Sequence, residues 1–312
     1  MERITSDQPA PEHLRGSIIA LGNFDGFHAG HQAVVARARD WARAEQRPLV
    51  VATFDPHPVR LFNPETPWFR LTSLDQRERL FAEAGANAML VFAFTHAMAA
   101  LSADEFIALL VDHCGAAGVV TGQDFTFGKA RGGNIAVLAE RGPALGLRSL
   151  AVEPVLDDAG VISSSRIRDA LQAGDCATAT RLLTRPFTIE GEVQHGSKLG
   201  RTIGFPTANI DMGHYLRPAY GIYAVRGLLA DGAILDGAAN IGIRPTFEPP
   251  VELLEPHFFE FNGDLYGQTI AIEFIEYLRP EAKFAGIDDL VAQMGRDCSE
   301  ARRILAAKPR LA

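Results

Sequence analysis

The 312-residue sequence has few cysteines, no long apolar run and no excess of positive charge. Its three cysteines, Cys114, Cys176 and Cys298, lie far apart, and none forms a Cys-x-x-Cys pair. That excludes a secreted disulfide framework and a cysteine-based structural zinc site, and makes a reducing cytoplasm the expected setting. The most apolar stretch, 84–101, is interrupted by Asn87, Thr95 and His96. It is therefore not expected to span a membrane, and its middle, Ala88–Phe94, reads as a buried strand. Met1 to Arg15 carries Glu2, Asp7 and Glu12 without an apolar core, so no secretory signal is expected. With 30 Lys and Arg against 38 Asp and Glu, the net charge is −8. Bulk attraction to nucleic acid or to an anionic membrane is not expected. Internal repeats and low-complexity tracts are also lacking.

What is present is 47% apolar residues over a length that suits two domains. In the first half, apolar runs at Ile18–Leu21, Leu49–Phe54, Ala88–Phe92, Gly118–Thr121 and Arg148–Val152 alternate with helical patterns. One of these patterns covers His31–Ala44; two others open with capping boxes at Ser73 and Ser102. Fully apolar strands alternating with helices predict an α/β domain with a parallel sheet covered on both faces. Ligands of such sheets bind beyond the carboxyl ends of the strands. A helical pattern runs from Arg168 to about Leu183, and Arg185-Pro186 breaks it. Beyond it, period-2 stretches at Thr188–Val193, Ile222–Leu228, His257–Phe261 and Thr269–Leu278 predict an antiparallel, barrel-like domain. A helical pattern over Ile287–Leu305 closes the chain. The expected boundary gives domains 1–185 and 186–312.

The strand ends of the first half carry the chemistry. Ile18–Leu21 runs into Gly22-Asn23-Phe24-Asp25-Gly26-Phe27-His28-Ala29-Gly30-His31. A glycine-rich turn followed by a helix start offers backbone N–H groups to an anion. His28 and His31, three apart, share a helix face from which both imidazoles can reach phosphate oxygens. The second strand ends in Thr53-Phe54-Asp55-Pro56-His57-Pro58, a rigid loop. The fourth ends in Gly122-Gln123-Asp124-Phe125-Thr126-Phe127-Gly128-Lys129, suited to a flat heterocycle beside a phosphate. After the fifth come Ser163-Ser164-Ser165-Arg166-Ile167-Arg168. Hydroxyls there are ordinary helix caps, but two arginines beside them make a polyphosphate clamp. In the second half, Gly196, Lys198, Gly200 and Arg201 form a flexible basic cradle. Thr207 and Asn209, two apart on an extended segment, offer two neutral oxygens suited to a magnesium ion that takes its other ligands from ATP and water. Asn240–Phe247 reads as a loop after a strand, and Glu255-Pro256-His257 as the entry to the next strand. His113, His195, His214 and the cysteines read as structural or surface residues, and His96 as a packed helix residue.

The strings GNFDGFHAGHQ, TFDPHP, GQDFTFGKARGGN and SSSRIR resemble those of bacterial bifunctional riboflavin kinase/FAD synthetases, within the nucleotidylyltransferase superfamily. The likeness continues through FPTAN and LRPEAKF and covers nearly the whole chain. It implies an N-terminal Rossmann-like FMN adenylyltransferase domain and a C-terminal β-barrel riboflavin kinase domain with a terminal helix. ATP would be co-substrate of both and Mg²⁺ the cofactor, with riboflavin, FMN and FAD the flavin partners. By the same resemblance His28, His31 and Arg166 act in adenylyl transfer, and Gly22, Asn23, Phe24, Asp25, Gly26, Ser164, Ser165 and Arg168 hold ATP. Gly196, Lys198, Gly200 and Arg201 would cover the kinase's ATP, Thr207 and Asn209 its metal, and Glu255 would be the base. Asp124, Phe125 and Arg244 fall on the flavin side. The expected oligomeric state is a monomer or a weak homo-oligomer. Other adenylylating enzymes would not need the FPTAN string, a tRNA-synthetase fragment would need a basic region, and a flavin carrier would not need the Thr-x-Asn site.

Overall fold

A computed structural model describes residues 1–195, 200, 204–244 and 251–308. The chain divides into two compact units, Met1–Pro67 with Ser73–Ser163, and Trp68–Thr72 with Ser164–Ala312.

The first unit is built on a six-stranded sheet: β1 (Glu2–Thr5), β2 (Ser17–Leu21), β3 (Leu49–Asp55), β4 (Ala88–Ala93), β5 (Ala116–Gly122) and β8 (Arg148–Val152), ordered β1-β4-β3-β2-β5-β8. Every pairing is parallel. Alternation sorts the side chains into two cores. Ile19, Leu21, Val50, Ala52 and Leu90 join Phe106 and Leu110 on one face, while Ile18, Ala20, Leu49, Val51 and Met89 meet Val34, Val35 and Ala38 of helix Ala29–Ala44 on the other. β1 was not foreseen, because its four residues, Glu-Arg-Ile-Thr, carry too little apolar signal. The chain steps outward from β2 through β3 to β4, then returns to lay β5 on the other side of β2. The carboxyl ends of β2 and β5 therefore flank the switch point where such sheets bind ligands. A short ribbon follows β5, pairing β6 (Thr126–Phe127) with β7 (Gly133–Asn134), and a second pairs β9 (Leu156–Asp157) with β10 (Gly160–Val161).

The second unit holds a closed antiparallel barrel: β11 (Phe187–Gln194), β12 (Asn209–Asp211), β13 (Gly221–Leu228), β14 (Ile234–Arg244), β15 (Val251–Phe258) and β16 (Thr269–Arg279), ordered β11-β12-β15-β14-β13-β16. Ile189, Ile210, Tyr223, Val225, Ile241, Leu254, Ile272 and Phe274 are fully buried. The helix Ile287–Ala307 lays Ala301 and Leu305 on Ala224, Ala238 and Ile275. Buried Arg226 donates to the carbonyls of Leu305 (3.0 Å) and Lys308 (2.7 Å) at the end of that helix, where a cation is favoured. The helices Ser164–Gln172 and Cys176–Leu183, counted with the first half in the sequence, cluster with this unit. So does the distant segment Trp68–Thr72. Its Arg70 bridges Tyr215, Trp68 stacks on His214 at 3.9 Å, and the Phe69 carbonyl accepts from Arg168 Nε at 2.9 Å.

Two elements differ from the sequence reading. Asn240 does not lie in a loop: β14 continues to Arg244, carried by pairing with both β13 and β15, and 245–247 lie outside the described residues. The strand read as His257–Phe261 runs from Val251 to Phe258, so Glu255 sits within it. His96 opens the short helix His96–Ala99 but is exposed rather than packed.

At the mouth of β15, Arg217 donates to Glu252 Oε2 at 2.8 Å and to the Gly213 and Tyr215 carbonyls at 2.9 and 2.6 Å. Tyr220 donates to the other carboxylate oxygen. Burial raises the Glu252 pKa, but the bonds from Tyr220 and Arg217 outweigh it and hold the group below its ordinary 4.5. A carboxylate with a depressed folded pKa stabilises the fold above its unfolded pKa and loses that contribution as pH falls through the folded value. Glu252→Gln is therefore expected to lower the melting temperature at pH 7, with the gap to wild type closing as the pH is taken below 4.5. Gly118 faces Trp41 across β5, where a Cβ would lie 2.5 Å from the indole. Gly118→Val is expected to cost about 1–3 kcal/mol of stability by overpacking, measurable by urea titration.

Candidate active sites

In the first unit, the turn after β2 folds sharply because Phe24 (φ 49°), Gly26 (φ 85°) and Phe27 (φ 42°) all take left-handed conformations. Two of these are not glycine, and such conformations persist only where the surroundings hold them. Phe24 and Phe27 are buried and meet Phe81 edge-on at 5.8 and 5.1 Å. The Asn23 carbonyl accepts from Thr53 Oγ1 at 2.7 Å and from Arg77 Nη1 at 3.2 Å, and Arg77 also donates to Thr53 Oγ1 at 2.9 Å. Arg77 is only 3% exposed. No sequence pattern marks an arginine that turns inward.

The turn delivers His28 to the N-cap of helix Ala29–Ala44, where its Nδ1 accepts from the backbone N–H of His31 at 3.4 Å. An imidazole accepting at Nδ1 carries its proton on Nε2, the donor a phosphate oxygen requires. The His28 and His31 rings stack at 3.6 Å with 22° between their planes. Gly30 is needed beside them: a Cβ would lie 3.1 Å from His28 Cε1 and 3.4 Å from the Ile162 carbonyl. The Asn23 side-chain oxygen is buried without a hydrogen-bond partner among the described residues.

The neighbouring strand end, after β5, exposes Asp124, whose carboxylate leans back to within 2.9 Å of where a Cβ at Gly122 would stand. Phe125 is not a free aromatic plate; it packs on the core and stacks on Phe127 at 6.0 Å. An aromatic surface that the sequence did not single out lies beyond β3 and β4. Phe62, 59% exposed, meets Phe94 edge-on at 6.2 Å, and Phe94 in turn meets Phe54 at 5.7 Å. Ser164, Ser165, Arg166 and Arg168 open the helix Ser164–Gln172 of the second unit. There the Arg168 guanidinium also lies over the Phe69 ring at 5.0 Å.

In the barrel, β15 sets Glu255 directly opposite Asn240 of β14. The β12–β15 register, Ile210 opposite Leu254, extends through a bond from Ala208 N–H to the Pro256 carbonyl at 2.9 Å and brings Asn209 opposite Glu255. Thr207 lies two residues before Asn209, next to Pro206, whose carbonyl meets His257 Nδ1 at 2.8 Å. Gly200 accepts at its carbonyl from Phe205 N–H at 2.8 Å. A Cβ there would lie 2.3 Å from the Phe205 carbonyl, so only glycine fits. Gly196, Lys198 and Arg201 lie outside the described residues, as does the side chain of Arg244. No group of three or more His, Cys, Asp or Glu that could hold a metal ion occurs among the described residues. A divalent ion at Thr207 and Asn209 would have to take most of its ligands from water and phosphate, which suits Mg²⁺.

A histidine-bearing turn on a parallel sheet and a polar row around Glu255 on a closed barrel give the chain two separate candidate sites, and comparison with known proteins places it among nucleotide-dependent transferases. Residues 10–166 match the FAD synthetase family model, and residues 183–305 match the riboflavin kinase model. The bifunctional riboflavin kinase/FMN adenylyltransferase of Escherichia coli K12 is 38% identical over 288 residues, covering 92% of each chain. That of Pseudomonas fluorescens is 40% identical over 298 residues, covering 95% of each. A solved chain from Streptococcus pneumoniae described as a macrolide-efflux protein shares the fold with a TM-score of 0.87 and 32% identity, over 97% of this chain and 99% of that one. In the present chain no helix among the described residues is long and apolar enough to cross a membrane. The chain belongs to the bifunctional riboflavin kinase/FMN adenylyltransferase family.

Arg77→Met removes one of the two bonds on the Asn23 carbonyl and the bond that steadies the other donor, Thr53. It is expected to lower FAD formation from supplied FMN by roughly tenfold or more, as for loss of a buried charged hydrogen-bond donor, and to leave FMN formation from riboflavin unchanged. Flavin chromatography separates the two readouts.

Proposed function

We infer that the chain carries out both ATP-dependent steps of its family in flavin biosynthesis: phosphorylation of riboflavin to FMN, and adenylylation of FMN to FAD with release of pyrophosphate. The observation that carries this is that each family model falls on one of the two site geometries. ATP, riboflavin and FMN are then substrates and FAD the product. The expected division gives adenylyl transfer to residues 1–185 and the kinase to 186–312.

In adenylyl transfer the nucleophile is an FMN phosphate oxygen, already anionic at neutral pH, so no strong base is required. The work is positioning and neutralisation of charge at the α-phosphorus and the leaving pyrophosphate. His28 and His31 donate to the phosphates from the helix N-terminus, where the backbone N–H groups of the turn add to the field. Gly22, Asn23, Phe24, Asp25 and Gly26 shape the nucleotide side. The resemblance assigns the pyrophosphate to Arg166, with Ser164, Ser165 and Arg168. Asp124 and Phe125 border the flavin side.

In the kinase site Glu255 removes the proton of the riboflavin 5′-hydroxyl as that oxygen attacks the γ-phosphorus and ADP leaves. Gly196, Lys198, Gly200 and Arg201 cover the triphosphate, and Arg244 borders the flavin. Thr207 and Asn209 would hold Mg²⁺, which supplies neutralisation of phosphate charge when bound.

The test uses the full chain with riboflavin or FMN, ATP and Mg²⁺. Glu255→Gln is expected to abolish FMN formation while supplied FMN is still converted to FAD; His28→Ala is expected to do the reverse. A folded single variant that silences both steps would overturn the two-site assignment.

A further inference from the structure

We propose that Asn240 is a riboflavin-positioning residue of the kinase site, and that Glu281 sets the orientation of its amide. This rests on the reading of Glu255 as the kinase base.

Three strands lie side by side in the order β12, β15, β14. Ile210, Leu254 and Ile241 are opposite one another, each at 0% exposure, and fill the barrel. Alternation then places Asn209, Glu255 and Asn240 in one row on the other face. With strands about 4.8 Å apart, Asn209 and Asn240 stand roughly 10 Å from each other with Glu255 between them. If Thr207 and Asn209 mark the phosphate-donor side of the base, Asn240 marks the acceptor side.

The amide itself is poised for a ligand. Asn240 Nδ2 donates to Glu281 Oε1 at 3.3 Å. Its Oδ1 is buried and has no hydrogen-bond partner among the described residues. The opposite rotamer would set Oδ1 against a carboxylate oxygen, so Glu281 fixes which end of the amide is left to accept. Gly242 makes room for this arrangement: a Cβ there would lie 2.1 Å from Glu281 Oε1. A buried acceptor requires a donor. On the acceptor side of the base, the donors that riboflavin offers are the ribityl hydroxyls next to the one being phosphorylated. The geometry assigns the 4′-hydroxyl to Asn240, where one hydrogen bond would fix the ribityl chain so that the 5′-oxygen faces Glu255.

The experiment measures FMN formation by the full chain with riboflavin and with 4′-deoxyriboflavin. Asn240→Ala is expected to raise the KM for riboflavin by roughly tenfold or more, as for a lost hydrogen bond from a buried site, and to leave the KM for ATP unchanged. The wild type is expected to discriminate against 4′-deoxyriboflavin, and Asn240→Ala to use both flavins alike. Glu281→Ala, which leaves the strands untouched, is expected to raise the riboflavin KM in the same direction. The exchange Asn240→Asp with Glu281→Gln restores an amide–carboxylate pair and is expected to recover part of the loss. An unchanged riboflavin KM in both single variants, discrimination that persists in Asn240→Ala, or a rise confined to the ATP KM would overturn the proposal. If Glu255→Gln abolishes FMN formation while the Asn240 variants behave as wild type, only this inference fails. If Glu255→Gln is silent, the underlying assignment of the site fails.

Discussion

Successive residues of a β-strand point to opposite sides, and both units of this chain depend on that constraint. In the parallel sheet both sides must be apolar, because helices cover both, and Ile18 to Leu21 serve two cores at once. Such a sheet has no polar face, so polar groups gather in the loops beyond the strand ends, where ligands of parallel sheets bind. In the closed barrel the inner side must be apolar, and the outer side only where the terminal helix covers it. Ile210, Leu254 and Ile241 fill it, and the residues between them are free to form a polar row with Glu255 at its centre. One geometric rule thus gathers polar groups on loops in one unit and on a strand face in the other.

The turn after β2 has the harder physical problem, since left-handed backbone at two phenylalanines must be kept from relaxing. Phe24 and Phe27 hold left-handed backbone that their side chains disfavour. Their rings are buried against Phe81, and the Arg77–Thr53 pair grips the Asn23 carbonyl. The aromatic residues of the Gly-Asn-Phe-Asp-Gly-Phe string therefore act as anchors for the turn rather than as a surface for the nucleotide. The stacked histidines follow from that anchoring, because His28 caps the very helix on which His31 sits.

Much of this was legible in the sequence. The runs ending at Leu21, Phe54, Phe92 and Thr121 stand out because strands buried on both faces are apolar throughout, whereas the edge strand ending at Val152 is only half-buried. The capping boxes at Ser73 and Ser102 are formed as their spacing implies. Asn209 and Glu255, singled out for their residue types, stand opposite one another on paired strands. What escaped was whatever depends on a partner distant in the chain. Arg77 reads as a surface charge until Asn23 and Thr53 close over it. Asn240 reads as a loop residue until β13 and β15 pair on both sides of it, and Trp68–Thr72 gives no local sign that it clusters with Arg168 and His214.

The sequence by itself determined the class of each half, its helix starts, its glycine turns and the residue types at each strand end, because these follow from period, capping and backbone sterics over a few neighbouring residues. Only the tertiary structure decided which strand stands beside which, which arginine turns inward, and that Asn209, Glu255, Asn240 and Glu281 share one surface. Strand register and buried hydrogen bonds join residues tens of positions apart, and no local pattern encodes that distance.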